Sequence, residues 1–218
     1  MSANSADIEV EQRIGALRLV PVVALDVARD AVPLSRALMS AGLPIAEITF
    51  RSAAAADAIA EIVADDPAFL VGAGTILTTA EVDRAAEAGA RFIMTPGLNP
   101  KVVDRALAAG IPIYPGVGTP SDVERAMELG LRTLKFFPAV PGGGTAYLKA
   151  LYGPYPGVRF VPTGGITEAN LAEFLALPNV IACGGSWMVE RALIKAGEFT
   201  EIGHRTVAAL AARQAKKI

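Results

Sequence analysis

The sequence predicts an α/β protein built from eight repeated strand–helix units, and three observations carry that reading. Short apolar runs alternate with helical stretches through all 218 residues, without a break in composition. The runs are continuous rather than alternating, as in parallel strands covered on both faces. Glycines close successive helical stretches at Gly42, Gly89, Gly110 and Gly130, and a strand candidate follows each almost at once. The recurring Ala-Gly-Leu-Pro, Ala-Gly-Ala-Arg, Ala-Gly-Ile-Pro and Leu-Gly-Leu-Arg segments are what one βα unit used many times would leave. Eight such units predict a (β/α)8 barrel of the TIM type, a single domain over residues 1–218. An open doubly wound sheet is the main competitor.

In chain order, the stretch before Leu19 reads as an extra N-terminal helix that could cover the lower end of the barrel. The strand candidates are Leu19–Leu25, Ile45–Phe50, Phe69–Ala73, Arg91–Thr95, Ile111–Tyr114, Arg132–Phe136, Arg159–Pro162 and Val180–Cys183. Between them, Leu34, Ala37, Leu38 and Ala41 follow one helix face, and Ala53–Ala64 is a run of good helix formers. Thr78 and Glu81 form a capping-box pattern. Asn99-Pro100 and Thr119-Pro120 each set a capping side chain before a proline at the first helical position. The tail from Ala192 to Ile218 reads as helical, with Lys216 and Lys217 suited to a helix C-terminus.

Composition narrows the function. Hydrophobic residues are 52% of the chain and mean hydropathy is +0.42. Two-sided burial of parallel strands accounts for that, since no apolar run reaches the ~18 residues that would span a bilayer. Net charge is −2 with no basic block, which argues against a nucleic-acid partner. Asp7, Glu9 and Glu11 are wrong for a secretory signal, so neither membrane nor export is expected. The lone Cys183 suits a reduced cytoplasm and reads as a small buried hydrophobe. His204 is the only histidine, so a metal site built from several histidines is excluded and none is expected.

Active groups of a barrel come from the C-terminal ends of its strands and the loops after them. Lys135 sits inside the apolar run of the sixth strand. A buried ammonium is costly unless paired, and a lysine that sheds its proton becomes a nucleophile for carbonyls. The alternative is a lysine that snorkels to water. On the second strand Glu47, Thr49 and Arg51 share one face at a period of two. That is either a functional cluster or a structural Glu–Arg pair. Gly72-Ala-Gly-Thr75 ends the third strand, where glycines let backbone approach a ligand and Thr75 offers a hydroxyl. Gly164-Gly165 follows the seventh strand and Gly184-Gly185-Ser186 the eighth. Each pair leads toward a helix, the pattern of a barrel phosphate site, with tight turns as the plainer reading. Together these are the equipment for Schiff-base chemistry on a phosphorylated keto acid.

Glu47-Ile-Thr-Phe-Arg51, Gly72-Ala-Gly-Thr75, Lys135-Phe-Phe-Pro-Ala139, Pro162-Thr-Gly-Gly-Ile166 and Gly184-Gly-Ser-Trp187 together resemble the class I 2-keto-3-deoxy-6-phosphogluconate (KDPG) aldolases of the Entner–Doudoroff pathway. The resemblance runs from about Leu19 into the C-terminal helix and implies cleavage to pyruvate and glyceraldehyde 3-phosphate without a cofactor. It implies that Lys135 is the Schiff-base lysine and Glu47 the acid/base carboxylate. Arg51 and Thr75 match groups near the pyruvyl carboxylate, Pro96 and Phe137 line that pocket, and Thr163 faces the substrate hydroxyls. Gly164, Gly165, Gly184, Gly185 and Ser186 match the phosphate end. A homotrimer is implied as well. Gly142-Gly143-Gly144 is read as a mobile flap. The C4-epimeric phosphogalactonate and unphosphorylated 4-hydroxy-2-oxoglutarate are alternative substrates by the same chemistry. A phosphosugar isomerase or a silent phosphosugar-binding barrel are the rivals outside it.

Overall fold

The computed structural model describes residues 5–213, so Lys216 and Lys217 lie outside the described residues. The chain is an α/β fold with a curled parallel sheet. It runs through α1 (Ser5–Leu17), β1 (Leu19–Val23), a 3-10 turn (Ala28–Asp30), α2 (Ala31–Ser40), β2 (Ile45–Thr49), α3 (Ala55–Asp65), β3 (Leu70–Gly74), α4 (Thr79–Glu87), β4 (Ile93–Met94) and α5 (Pro100–Ala108). There follow β5 (Ile113–Tyr114), β6 (Gly116–Val117), α6 (Pro120–Glu128), β7 (Thr133–Phe136), α7 (Gly144–Tyr152), β8 (Arg159–Pro162), α8 (Glu168–Leu175), β9 (Cys183–Gly185), α9 (Arg191–Ala196) and α10 (Phe199–Ala212).

Hydrogen bonding orders the strands β5-β4-β3-β2-β1-β9 in one sheet and β6-β7-β8 in another. Parallel bridges Phe160↔Val180 and Thr163↔Gly184 link the end of the second sheet to the segment of β9. At the other junction only Pro115 separates β5 from β6. Proline has no N–H to donate to a ladder. The next donor, Gly116 N, turns instead to the Thr95 hydroxyl at 3.3 Å. The strand candidate Ile111–Tyr114 therefore keeps Ile113–Tyr114 as β5, and β6 is a further short strand beyond its bounds.

Every residue of β2 and β3 is buried, as expected where helices cover a parallel sheet. Helix starts follow the capping logic. Thr78 and Glu81 form a capping box ahead of α4, Asn99 Oδ1 accepts from Lys101 N at 3.1 Å, and Thr119 pairs with Asp122 ahead of α6. Each such cap contributes about 1 kcal/mol. Gly42, Gly89, Gly110 and Gly130 all adopt positive φ after a helix.

The helix α1 lies against the N-terminal ends of several strands. Val10 and Ile14 are buried. Arg13 donates to Ala68 O at 2.7 Å, Thr133 Oγ1 donates to Glu11 at 2.9 Å, and Arg159 pairs with the same carboxylate.

Three expectations need correction. The eighth strand is Cys183–Gly185 rather than Val180–Cys183, so Gly184 and Gly185 belong to the strand and pair with Val20 and Pro21. Glycine is needed there because a Cβ on Gly184 would sit 2.3 Å from Thr163 Oγ1, and one on Gly185 1.8 Å from the Trp187 ring. Gly142-Gly143-Gly144 forms a hydrogen-bonded turn into α7 rather than a flap, with Gly142 N on Pro138 O at 2.9 Å and Gly144 N on Ala139 O at 2.9 Å. The tail is two helices, broken where Gly197 turns to φ 74°.

Cys183 is buried, and burial pushes its thiol pKa up. The thiolate is the reactive form, so the raised value suppresses it further. The folded protein is expected to resist iodoacetamide at about pH 8 and to take up one equivalent once denatured, read by intact-mass spectrometry.

Candidate active site

The inward side chains of β2 and β7 meet across the curled sheet. Lys135, third in β7, places Nζ 2.9 Å from Glu47 Oε1 and 3.3 Å from Oε2. Glu47 is third in β2 and fully buried, and the Lys135 side chain is 5% exposed. The lysine therefore does not snorkel. Helices cover the outer face of the strands, and the pair faces inward toward the cavity. The Phe137 ring lies beside it, with its centroid 5.7 Å from Nζ.

Room for the carboxylate comes from β3. A Cβ at Gly74 would lie 2.1 Å from Glu47 Oε1, so only glycine fits opposite it. The next residue, Thr75, is forced into the left-handed region at φ 59°. A non-glycine residue held there stores about 1–3 kcal/mol of strain. Gly116 is required for a similar reason, because its Cβ would strike Pro96 O at 2.2 Å.

A cavity of about 320 Å³ opens over the pair. Its walls hold Lys135 and Glu47, then Arg51, Thr75, Pro96 and Phe137 from the loops after β2, β3, β4 and β7. The opposite wall holds Thr163, Gly164 and Gly165 after β8, and Gly184, Gly185 and Ser186 at the end of β9. All twelve residues singled out in the sequence thus border one cavity. They lie on the strands or in the loops at their C-terminal ends, the side where parallel α/β folds place their ligands.

Gly164 and Gly165 have φ values of 99° and 82°, in the left-handed region that glycine tolerates. The loop after β7 is laced to theirs. Ala139 N donates to Thr163 O at 2.8 Å and Val140 N to Gly164 O at 2.9 Å. A Cβ on Gly165 would strike Val140 at 2.7 Å. The helix expected after Ser186 does not begin until Arg191, so that side of the cavity is strand end and loop, not a helix terminus.

Val22, Thr49 and Ile166 also line the cavity and were not assigned from the sequence. Nothing distinguishes Val22 or Ile166 from ordinary apolar residues. Thr49 had a signal, since it shares the period-two face of Glu47 and Arg51. His204 lies exposed on α10 beside Glu201, away from these residues.

Comparison with known proteins agrees with this geometry. The pattern of the KDPG and KHG aldolases matches residues 10–205. The chain is 49% identical over 195 residues to a 2-dehydro-3-deoxy-phosphogluconate aldolase of Haemophilus influenzae, covering 89% of this chain and 92% of that one. It is 41% identical to the KHG/KDPG aldolase of Escherichia coli K12, covering 84% and 86% of the two chains. A crystal structure of the KDPG aldolase of Legionella pneumophila, holding pyruvate as a covalent carbinolamine, superposes with a TM-score of 0.89 at 36% identity over 92% of this chain and 97% of that one. The chain belongs to the KDPG and KHG aldolase family.

Proposed function

We propose that this protein is a Schiff-base aldolase that cleaves 2-dehydro-3-deoxy-6-phosphogluconate to pyruvate and glyceraldehyde 3-phosphate. The observation that carries the reading is the buried Lys135–Glu47 pair, 2.9 Å apart and open to a cavity. The named relatives at up to 49% identity and the pyruvate adduct in the Legionella structure support it.

The chemistry follows from the pair. Lys135 Nζ attacks the ketone carbon C2, and the carbonyl oxygen takes a proton from Glu47, leaving a carbinolamine. Loss of water gives a protonated imine. Glu47 then accepts the proton of the C4 hydroxyl. The C3–C4 bond breaks, its electron pair enters the imine to give an enamine, and the aldehyde departs. Protonation at C3 and hydrolysis release pyruvate and the free amine. The imine supplies the electron sink, so the reading calls for no cofactor and no metal.

Arg51 and Thr75 are assigned to the substrate carboxylate, Pro96 and Phe137 to the walls around the pyruvyl group, and Thr163 to the substrate hydroxyls. Gly164, Gly165, Gly184, Gly185 and Ser186 are assigned to the phosphate. The parallel pairing, joined across Pro115 and through the bridges to β9, supports one closed (β/α)8 TIM barrel as a single domain over residues 1–218, with α1 as the extra helix beneath it. A homotrimer is the proposed assembly, and the exposed Leu77, Val140 and Val207 leave apolar surface for subunit contact. A cytoplasmic location is proposed. No helix among the described residues is long and apolar enough to cross a membrane.

Four measurements test this. Lys135→Ala is expected to keep the fold by circular dichroism and to lose several orders of magnitude in kcat. Borohydride with pyruvate should add mass to Lys135 in the wild type, whereas an isomerase or a silent binding protein would show none. Glu47→Gln should still bind pyruvate while kcat falls about 10²–10⁴-fold, and unchanged turnover would remove Glu47 from the proton-transfer role. The ratio of kcat/KM on the gluconate and galactonate epimers is expected to favour the gluconate.

A further inference from the structure

The Arg51 guanidinium is held at one point. Its Nε donates to Thr49 Oγ1 at 3.2 Å. No hydrogen bond or ion pair engages its two terminal nitrogens among the described residues. Arg51 itself is exposed, whereas Thr49 is 1% exposed. The Thr49 hydroxyl carries a single hydrogen, and it is committed to Val23 O at 2.7 Å. Toward Arg51 the oxygen can therefore only accept. The carbonyl at the end of β1 thus fixes the orientation of the hydroxyl, and the hydroxyl fixes the guanidinium.

A long exposed arginine otherwise samples many rotamers and loses about 1.5–2 kcal/mol of entropy when a ligand orders it. A guanidinium tied at Nε presents the remaining edge, a planar pair of N–H donors, which fits a carboxylate bidentately. Both Thr49 and Arg51 line the cavity that holds Lys135.

We propose that Thr49 is a positioning residue for the keto-acid carboxylate, acting through Arg51. The inference rests on the assignment of Arg51 to that carboxylate. The competing role is that of a strand residue that satisfies its own hydroxyl and does nothing for the substrate. The two differ in what they change. Loss of a positioning hydroxyl weakens ligands that carry a carboxylate and spares those that do not.

The test compares wild type, Thr49→Val, Thr49→Ser and Arg51→Gln. Each is measured for pyruvate affinity, for KM and kcat in aldol cleavage, and for borohydride trapping of acetone on Lys135, acetone being a ketone without a carboxylate. Thr49→Val keeps the shape of the side chain and removes the hydrogen bonds. It is expected to raise the pyruvate dissociation constant and KM about tenfold, with kcat within about twofold of wild type and acetone trapping unchanged. Thr49→Ser restores the hydroxyl and should bind pyruvate as the wild type does. If Arg51→Gln weakens pyruvate and Thr49→Val does not, the inference is wrong and the assignment of Arg51 stands. If Arg51→Gln leaves pyruvate binding intact, the assignment of Arg51 falls and the inference falls with it. Equal loss of acetone trapping and of pyruvate affinity in Thr49→Val, or failure of Thr49→Ser to recover binding, also overturns it.

Discussion

The architecture depends on one constraint, which is that a lysine and a glutamate share a nearly dry interior. Taking two charges out of water costs several kcal/mol per ion, and their mutual attraction repays this only with good geometry. Here the distances of 2.9 and 3.3 Å supply that geometry. Even so, replacement of such a pair by packed apolar side chains is often neutral or stabilising by about 1–4 kcal/mol. Stability is therefore a poor reason to keep the pair. An amine and a carboxyl group close enough to exchange a proton, with a cavity above them, have a chemical reason to be there. The strands around them follow from this, since only a sheet curled on itself sets β2 and β7 face to face while helices keep water away.

Glycines make the space that this pair and its ligand need. Gly74 leaves room for the Glu47 carboxylate, and Gly184 leaves room for the Thr163 hydroxyl. Gly72 admits the Phe92 ring, and Gly116 lets the chain after β4 press close. A methyl group at any of these four positions would lie within 2.3 Å of a neighbouring atom. Flexibility of the glycine backbone is a secondary matter at these sites. What matters is that neighbouring side chains, and at Gly116 the Pro96 backbone, occupy the volume a Cβ would take, so the interior is filled from both sides around Glu47 and Lys135.

Much of this was legible in the residues. Apolar runs covered on both faces have a direct signature, and β2, β7 and β8 lie where their runs predict. Capping side chains at Thr78, Asn99 and Thr119 and closing glycines marked the helix ends, because those signals are local. The junction at Pro115 was less legible, since a missing N–H matters only against a particular neighbour. The true extent of β9 was hidden for a related reason. Gly184 and Gly185 read as loop residues until Thr163 and Trp187 are seen to fill the space above them. The meeting of Glu47 and Lys135 spans 88 positions in the chain, which no periodicity reports. The five motifs of the aldolase resemblance brought them together in advance. Val22 and Ile166 carried no signal, because apolar residues bordering a cavity look like apolar residues in a core.

The charge on the cavity wall also bears on substrate range. Arg51 and Lys135 are the cationic side chains that line it, on β7 and just beyond β2. The wall formed by the ends of β8 and β9 contains glycine backbone and the hydroxyls of Thr163 and Ser186, with no lysine or arginine. A phosphate assigned to that wall meets neutral donors, whose bonds to an anion are charge-assisted but carry no opposing cation. The cationic side chains of the cavity are thus gathered away from that wall. On the proposed reading, charged recognition falls at the keto-acid end, the part that a phosphorylated sugar acid and the alternative substrate 4-hydroxy-2-oxoglutarate have in common.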